Sequence, residues 1–265
     1  HHEDHQRWAE DQGMYEETMS YKDILSYVAY RQKRGNKRNT INQHLKSLSY
    51  WFSYHGIEPN PVQGIWIRGK RQTIPKGLLS KQELQRMYEN YPESSKAQIR
   101  DKVLLGLVCF QGLPTGIALK LRIDQVSLDP AFVRVLGSRK YAGRVLSLEP
   151  EQMEVLRKYV QQTRGQLLIS EEEVSSFLVS GGNSSHPQKM RWVVTEIARR
   201  MKRKEPRFRN FYQLRASVIR NWLKEYNLRE VQYMTGHKYV SSTERYRDDD
   251  TEGLQKSLDE LHPLN

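Results

Sequence analysis

The sequence predicts a mainly α fold in two parts: a small all-helical unit, then a larger, mostly helical unit with a short antiparallel sheet. Three observations predict it. Apolar residues recur at three- and four-residue spacing through most of the chain, the period of a helix with one buried face. Two-residue alternation is confined to the neighbourhood of residues 131–148, where two short runs flank a turn. A basic stretch with three prolines, residues 59–77, separates the two sets of helices.

The first helix is expected over residues 19–33, where Ile24, Leu25, Val28 and Ala29 carry the period and Ser20 is placed to cap it. A basic cluster from Arg31 to Arg38 follows. The second helix starts after Thr40, repeats through Ile41, Leu45, Leu48, Trp51 and Phe52, and ends at His55-Gly56. Residues 1–58 thus form the small unit. Residues 59–77, with Arg68, Lys70, Arg71 and Lys76, read as an extended linker suited to an acidic surface.

The larger unit spans 78–265. Ser80 and Glu83 form a capping-box pattern for a helix to about Tyr91. Residues 97–111 are apolar enough to be the central helix. Runs 131–136 and 143–148 read as a β-hairpin with a basic tip, and Pro150 opens a helix over 151–163. Further helices are expected at 188–203, 211–226, 228–235, 241–247 and 251–260.

Composition narrows the function. The formal charge is +12, an excess that suits a surface following a polyphosphate backbone and that a small neutral metabolite does not require. The single cysteine, Cys109, excludes a disulfide within the chain and a thiolate-rich zinc site. Its apolar surroundings make it a buried core residue. No signal peptide is visible and no apolar run approaches the roughly 18 residues of a membrane span, so a cytoplasmic location is expected.

The chemistry concentrates in the run from Phe211 to Arg247. Arg215, near the start of a helix, can present a bidentate fork to a phosphate. His237, after Gly236, can donate to a phosphate oxygen or move a proton. Tyr246, nine residues on, is an oxygen nucleophile that needs cationic neighbours, and Arg215, Arg245 and Arg247 are candidates. At the hairpin tip, Lys140 can reach a leaving oxygen, with Arg139 beside it. Each of these also has a plain reading, as a surface cation, a helix cap or a packing ring. The basic residues of 189–204, with Arg191 and Trp192, suit either backbone contacts or a solvated face.

These residues carry a resemblance to the tyrosine recombinase (phage integrase) family, over about residues 18–250. S-Y-K-D-I-L-S-Y-V and T-I-N-Q-H-L-K-S-L resemble its helical core-binding domain, E-P-N-P-V the exit to the linker, and I-P-K-G-L-L-S-K-Q-E-L the start of its catalytic domain. Y-Q-L-R resembles the family's His-x-x-Arg box, with Arg215 as the second catalytic arginine and Tyr212 in the histidine's place. T-G-H resembles its Leu-Gly-His box, which puts the nucleophile at Tyr246 and the hairpin lysine at Lys140 or Arg139.

One departure is large. In G-L-P-T-G-I, Pro114 stands where the family has its first catalytic arginine. Proline offers neither charge nor an N–H, and losing one such donor costs on the order of 100–1000-fold in rate. Two readings follow: an active recombinase in which another basic residue, Arg122 being one candidate, restores the clamp, or a recombinase-like DNA-binding protein with weak or no strand exchange. A more distant rival is a non-DNA phosphoester or RNA-modifying enzyme.

The resemblance implies attack by Tyr246 on a DNA phosphodiester, a 3′-phosphotyrosyl intermediate and rejoining, with no metal and no nucleotide cofactor. It implies duplex DNA with specific core sites as partner, tetramers on paired sites, and the C-terminal segment 248–265 docking on a neighbour or on its own domain.

Overall fold

The computed structural model describes residues 2–69, 74–168, 177–179 and 190–247. They fall into two compact units, divided between Thr73 and Ile74.

The first unit is a cluster of three helices, α1 (His2–Asp11), α2 (Tyr21–Lys33) and α3 (Arg38–Tyr54). Ser20 caps α2 in a full capping box with Asp23, which satisfies two of the N–H groups left open at a helix start. Ile24, Tyr27 and Val28 of α2 pack with Ile41, Leu45, Leu48 and Phe52 of α3. Helix α1 has no counterpart among the sequence expectations. It buries only His5, Trp8 and Ala9, so a histidine occupies part of the stripe that apolar periodicity would have revealed. Two further details differ from expectation. Arg31 is buried, donating to His44 Nε2 at 2.8 Å. Val62 joins the core, with Ile65 and Ile67 packed on it, so part of the stretch read as linker is folded onto this unit.

The second unit is built around α5 (Lys96–Cys109), buried on nearly every face and capped by Ser95. Helices α4 (Lys81–Glu89), α7 (Pro150–Lys158), α8 (Arg191–Lys204) and α9 (Phe211–Glu225) pack against it or one another. Ser80 and Glu83 form the expected capping box of α4. A three-stranded antiparallel sheet, β1 (Val126–Leu128), β2 (Ala131–Val135) and β3 (Arg144–Ser147), lies in the order β1-β2-β3, with Phe132 opposite Ser147 and Val135 opposite Arg144. The hairpin is the expected one; β1, three residues long, is too short to leave a sequence period. The helix opened by Pro150 continues as a π turn over Tyr159–Thr163. A one-turn helix, α6 (Thr115–Ala118), follows Pro114. Helices α10 (Leu228–Thr235) and α11 (Val240–Glu244) complete the described part. The expected helix 251–260, and Lys189, lie outside the described residues. Cys109 is buried, and burial pushes its thiol up to about 12, which makes it an inert core residue.

Within the described residues, no helix is long and apolar enough to cross a membrane.

Candidate active site

Helix α9 places Arg215. Asn210 caps it by accepting from Gln213 N–H at 2.9 Å. Ser217 Oγ accepts from Leu79 N–H at 2.9 Å, which ties the helix to the entering chain. Leu214, Ala216, Val218 and Ile219 are buried around Arg215, itself only 6% exposed. A guanidinium so desolvated must be given acceptors. Arg215 donates through Nη1 to the Gly112 carbonyl and through Nη2 to the Thr235 carbonyl at 3.2 Å. Its Nη2 also lies 3.2 Å from His237 Nε2.

His237 is placed by the end of α10. Gly236 takes the left-handed conformation, with φ +70°. The N–H groups of His237 and Gly236 return to the carbonyls of Gln232 and Tyr233 at 3.1 and 2.9 Å, a Schellman ending that only glycine adopts cheaply. A Cβ built on Gly236 would also come within 2.2 Å of Arg144 Nη1. Gly236→Ala should therefore destabilise the protein by at least ~1–2 kcal/mol, the cost of the left-handed backbone alone, measured by urea unfolding.

The hydrogen bonds fix the histidine tautomer. Arg215 can only donate, so His237 Nε2 accepts and carries no proton. Its Nδ1, 2.9 Å from Thr243 Oγ1 of α11, then carries the hydrogen. Burial, followed by Arg215 and Arg144, lowers the imidazole to about 4. Between about 4 and the ordinary 6.5 the unfolded chain binds the extra proton and the folded one does not. This group's contribution to stability is thus present above pH 6.5 and lost as pH falls toward 4. Thermal melts at stepped pH should show that slope, and His237→Asn should flatten it. His44, also near 4 in the first unit, adds a slope of the same sign.

Tyr246 follows α11. Its ring stacks on His237 at 6.0 Å between centroids, 18° from parallel. It is 8% exposed and packs with Ala216, Ile219 and Val231. Burial raises its phenol above the ordinary 10, helped by the neighbouring Tyr212 phenol, while Arg215 and Arg245 pull the other way. Two of the three expected cationic neighbours, Arg215 and Arg245, thus act on the phenol without ionising it in the resting site, while Arg247 is exposed.

Four of the five expected residues come together: Arg215, His237, Tyr246 and the half-buried Tyr212. Lys140 is exposed at the hairpin tip and, among the described residues, makes no hydrogen bond or ion pair with them. Its neighbour Tyr141 does reach the site, with its ring 5.4 Å from the Arg215 guanidinium and stacked on His237. Arg122 does not enter: it is exposed, and its Nε donates to Asp124 at 3.2 Å. Pro114 instead caps α6, its carbonyl accepting from Ile117 and Ala118 N–H. Arg191 and Trp192 are exposed on α8, and the Trp192 ring faces the buried Arg100.

Sequence reasoning missed Arg144. It lies on β3, whose burial alternates from a buried Arg144 to an exposed Val145 to a buried Leu146. It is 4% exposed and acts electrostatically on Arg215 and His237. The signal was available: an arginine in phase with the inward residues of an alternating strand.

Comparisons with known proteins give the family and the fold. The family model described as the phage integrase family matches residues 78–252. The tyrosine recombinase XerC of Bacillus subtilis (strain 168) is 26% identical over 254 residues, covering 93% of this chain and 82% of that protein. The tyrosine recombinase XerD of Listeria innocua is 23% identical, covering 93% and 84%. Among solved structures, the XerH site-specific recombinase in its pre-cleavage complex with difH substrate superposes with a TM-score of 0.63 at 18% identity, covering 90% of this chain and 70% of that one. The Tn1549 transposon integrase in complex with a circular intermediate DNA gives 0.58 at 13% identity, over 91% and 86%.

Proposed function

We propose that this chain, which belongs to the phage integrase family, is a site-specific DNA recombinase that cuts and rejoins duplex DNA through Tyr246. The observation that carries the assignment is the convergence of Arg215, His237 and Tyr246 within one water-poor site. In the reaction, the Tyr246 oxygen bonds to the scissile phosphorus, and the bond from phosphorus to the 5′ oxygen breaks. The products are a 3′-phosphotyrosyl ester and a 5′ hydroxyl. The phosphotyrosyl ester keeps the bond energy, so rejoining by a partner strand's 5′ hydroxyl draws on no nucleotide cofactor.

Each residue has a separate task. Arg215 neutralises the charge that grows on the non-bridging oxygens. The phenol starts protonated, so its proton must leave as the oxygen attacks. His237 Nε2, unprotonated and released when Arg215 turns to the phosphate, is the acceptor at hand. The neighbouring Tyr212 phenol opposes early ionisation of the Tyr246 phenol. Lys140, on the exposed tip, is the candidate donor to the leaving 5′ oxygen. The partner is duplex DNA with specific core sites, to which the +12 charge contributes affinity. Strand exchange pairs two such sites, which calls for four protomers.

The test is covalent trapping. A duplex bearing the site that the protein selects from random sequence, nicked near the cleavage position so that the released fragment diffuses away, should accumulate a denaturation-resistant protein–DNA adduct. Selective, salt-sensitive binding without any adduct would sink the cleavage assignment and leave a DNA-binding protein.

A further inference from the structure

We propose that Arg144, reaching in from β3, is the second cationic donor to the bound phosphate, in place of the arginine that Pro114 displaces. The inference rests on the reading of this site as one that holds a phosphate. Arg144 is 4% exposed, yet it spends only Nη1 on a protein acceptor, the Ala142 carbonyl at 3.2 Å. Its Nε and Nη2 are buried with no hydrogen-bond partner among the described residues. No described carboxylate pairs with it or with Arg215. A buried cation with idle donors and no counter-ion costs folding free energy. An anion placed between the two guanidinium groups removes that cost.

The location is equally specific. Ala142 N–H donates to the Gly236 carbonyl at 2.8 Å, strapping the hairpin onto the 235–237 turn. Arg144 Nη1 then occupies the space that a side chain at position 236 would fill. Arg215 contacts the residues on either side, the Thr235 carbonyl and His237 Nε2. Both guanidinium groups therefore meet the same turn, and each acts on the His237 ring. Burial and the repulsion of Arg215 together lower Arg144 to about 10, which leaves it charged at neutral pH. Arginine at this place can donate Nε–H and Nη2–H as a fork to one phosphate oxygen pair. It forms no covalent bond in the reaction.

The first test needs no DNA. Inorganic phosphate is titrated into the protein while the His237 ring is followed by NMR. The wild type should bind with an upward shift of the imidazole pKa, Arg144→Lys should retain part of this, and Arg144→Met should bind at least about tenfold more weakly, as expected for one lost charge-assisted hydrogen bond. Because Arg144→Met replaces an unpaired buried cation by a similar apolar volume, it should also hold or raise the Tm, by about 2–4 °C. Phosphate binding equal in wild type and Arg144→Met, no phosphate binding by the wild type, or a Tm that falls sharply in Arg144→Met would each overturn the proposal in favour of a structural arginine.

The second test uses cleavage. Arg144→Met should lose about 100–1000-fold in adduct formation on a scissile phosphate. It should lose much less on a methylphosphonate, which has one charge fewer to neutralise. Equal losses on both linkages would refute the clamp role. A wild type that binds phosphate but forms no adduct refutes the cleavage reading alone and leaves the anion site standing.

Discussion

Tyr246→Phe abolishes the covalent adduct while leaving the fold and the affinity for the selected duplex intact. The expectation follows from what the ring does apart from its oxygen. Tyr246 packs on Ala216, Ile219 and Val231 and stacks on His237, and phenylalanine keeps that apolar body. What is removed is the hydroxyl, which lies close enough to the Tyr212 phenol to interact with it. Such a polar contact is worth at most about 1 kcal/mol net, a small change in a chain of this size. The chemistry, by contrast, loses its nucleophile: the other phenols at the site, Tyr212 on α9 and Tyr141 of the hairpin, would attack only if the scissile phosphorus moved. The measurement pairs adduct trapping with equilibrium binding and a thermal melt. An adduct that persists in Tyr246→Phe transfers the nucleophile's role to another phenol of the site, and Tyr212→Phe and Tyr141→Phe then show which one.

The division between what the sequence disclosed and what it hid has physical causes. Ser20 with Asp23 and Ser80 with Glu83 are local signals, since a capping box is decided by residues three apart, and both helices begin where those pairs place them. The hairpin was legible for the same reason, through alternation across β2 and β3. Helix α1 was not, because His5 stands in its buried stripe. The site divides along the same line. Arg215, His237 and Tyr246 lie within 32 residues of one another, in α9 and just after α10 and α11, so a motif in sequence remains a cluster in space. Arg144 lies 71 positions before Arg215 in the sequence. Only the pairing of the hairpin tip with Gly236 and His237 brings it near, and such long-range pairing leaves no local trace. Arg122, nearer to Pro114 in sequence, was the natural substitute to suggest. The chain instead turns it outward to Asp124, while the inward phase of β3 carries Arg144 to the site.

Arg215→Lys should leave a folded, DNA-binding protein whose single-turnover cleavage falls by about 100–1000-fold, the loss typical of removing one donor to a developing oxyanion. Lysine preserves the charge, so the substitution tests geometry. In the resting protein Arg215 holds the Gly112 carbonyl, the Thr235 carbonyl and His237 Nε2 together. An ammonium group presents its donors from a single nitrogen, without the planar fork, and cannot reach all three acceptors and then turn as a unit to a phosphate. A structural role alone would also slow cleavage, so a second readout separates the two. Arg215 is, after burial, the largest influence lowering His237. Moving its charge should raise the imidazole from about 4 toward 6.5 without reaching it, because burial remains. If Arg215 and Arg144 clamp one phosphate, the losses of Arg215→Lys and Arg144→Met will not add in the double variant, since the second donor can do little once the phosphate is no longer held in place. Fully additive losses would mean that the two arginines act at separate points, and the clamp would then have to be sought elsewhere in the unit.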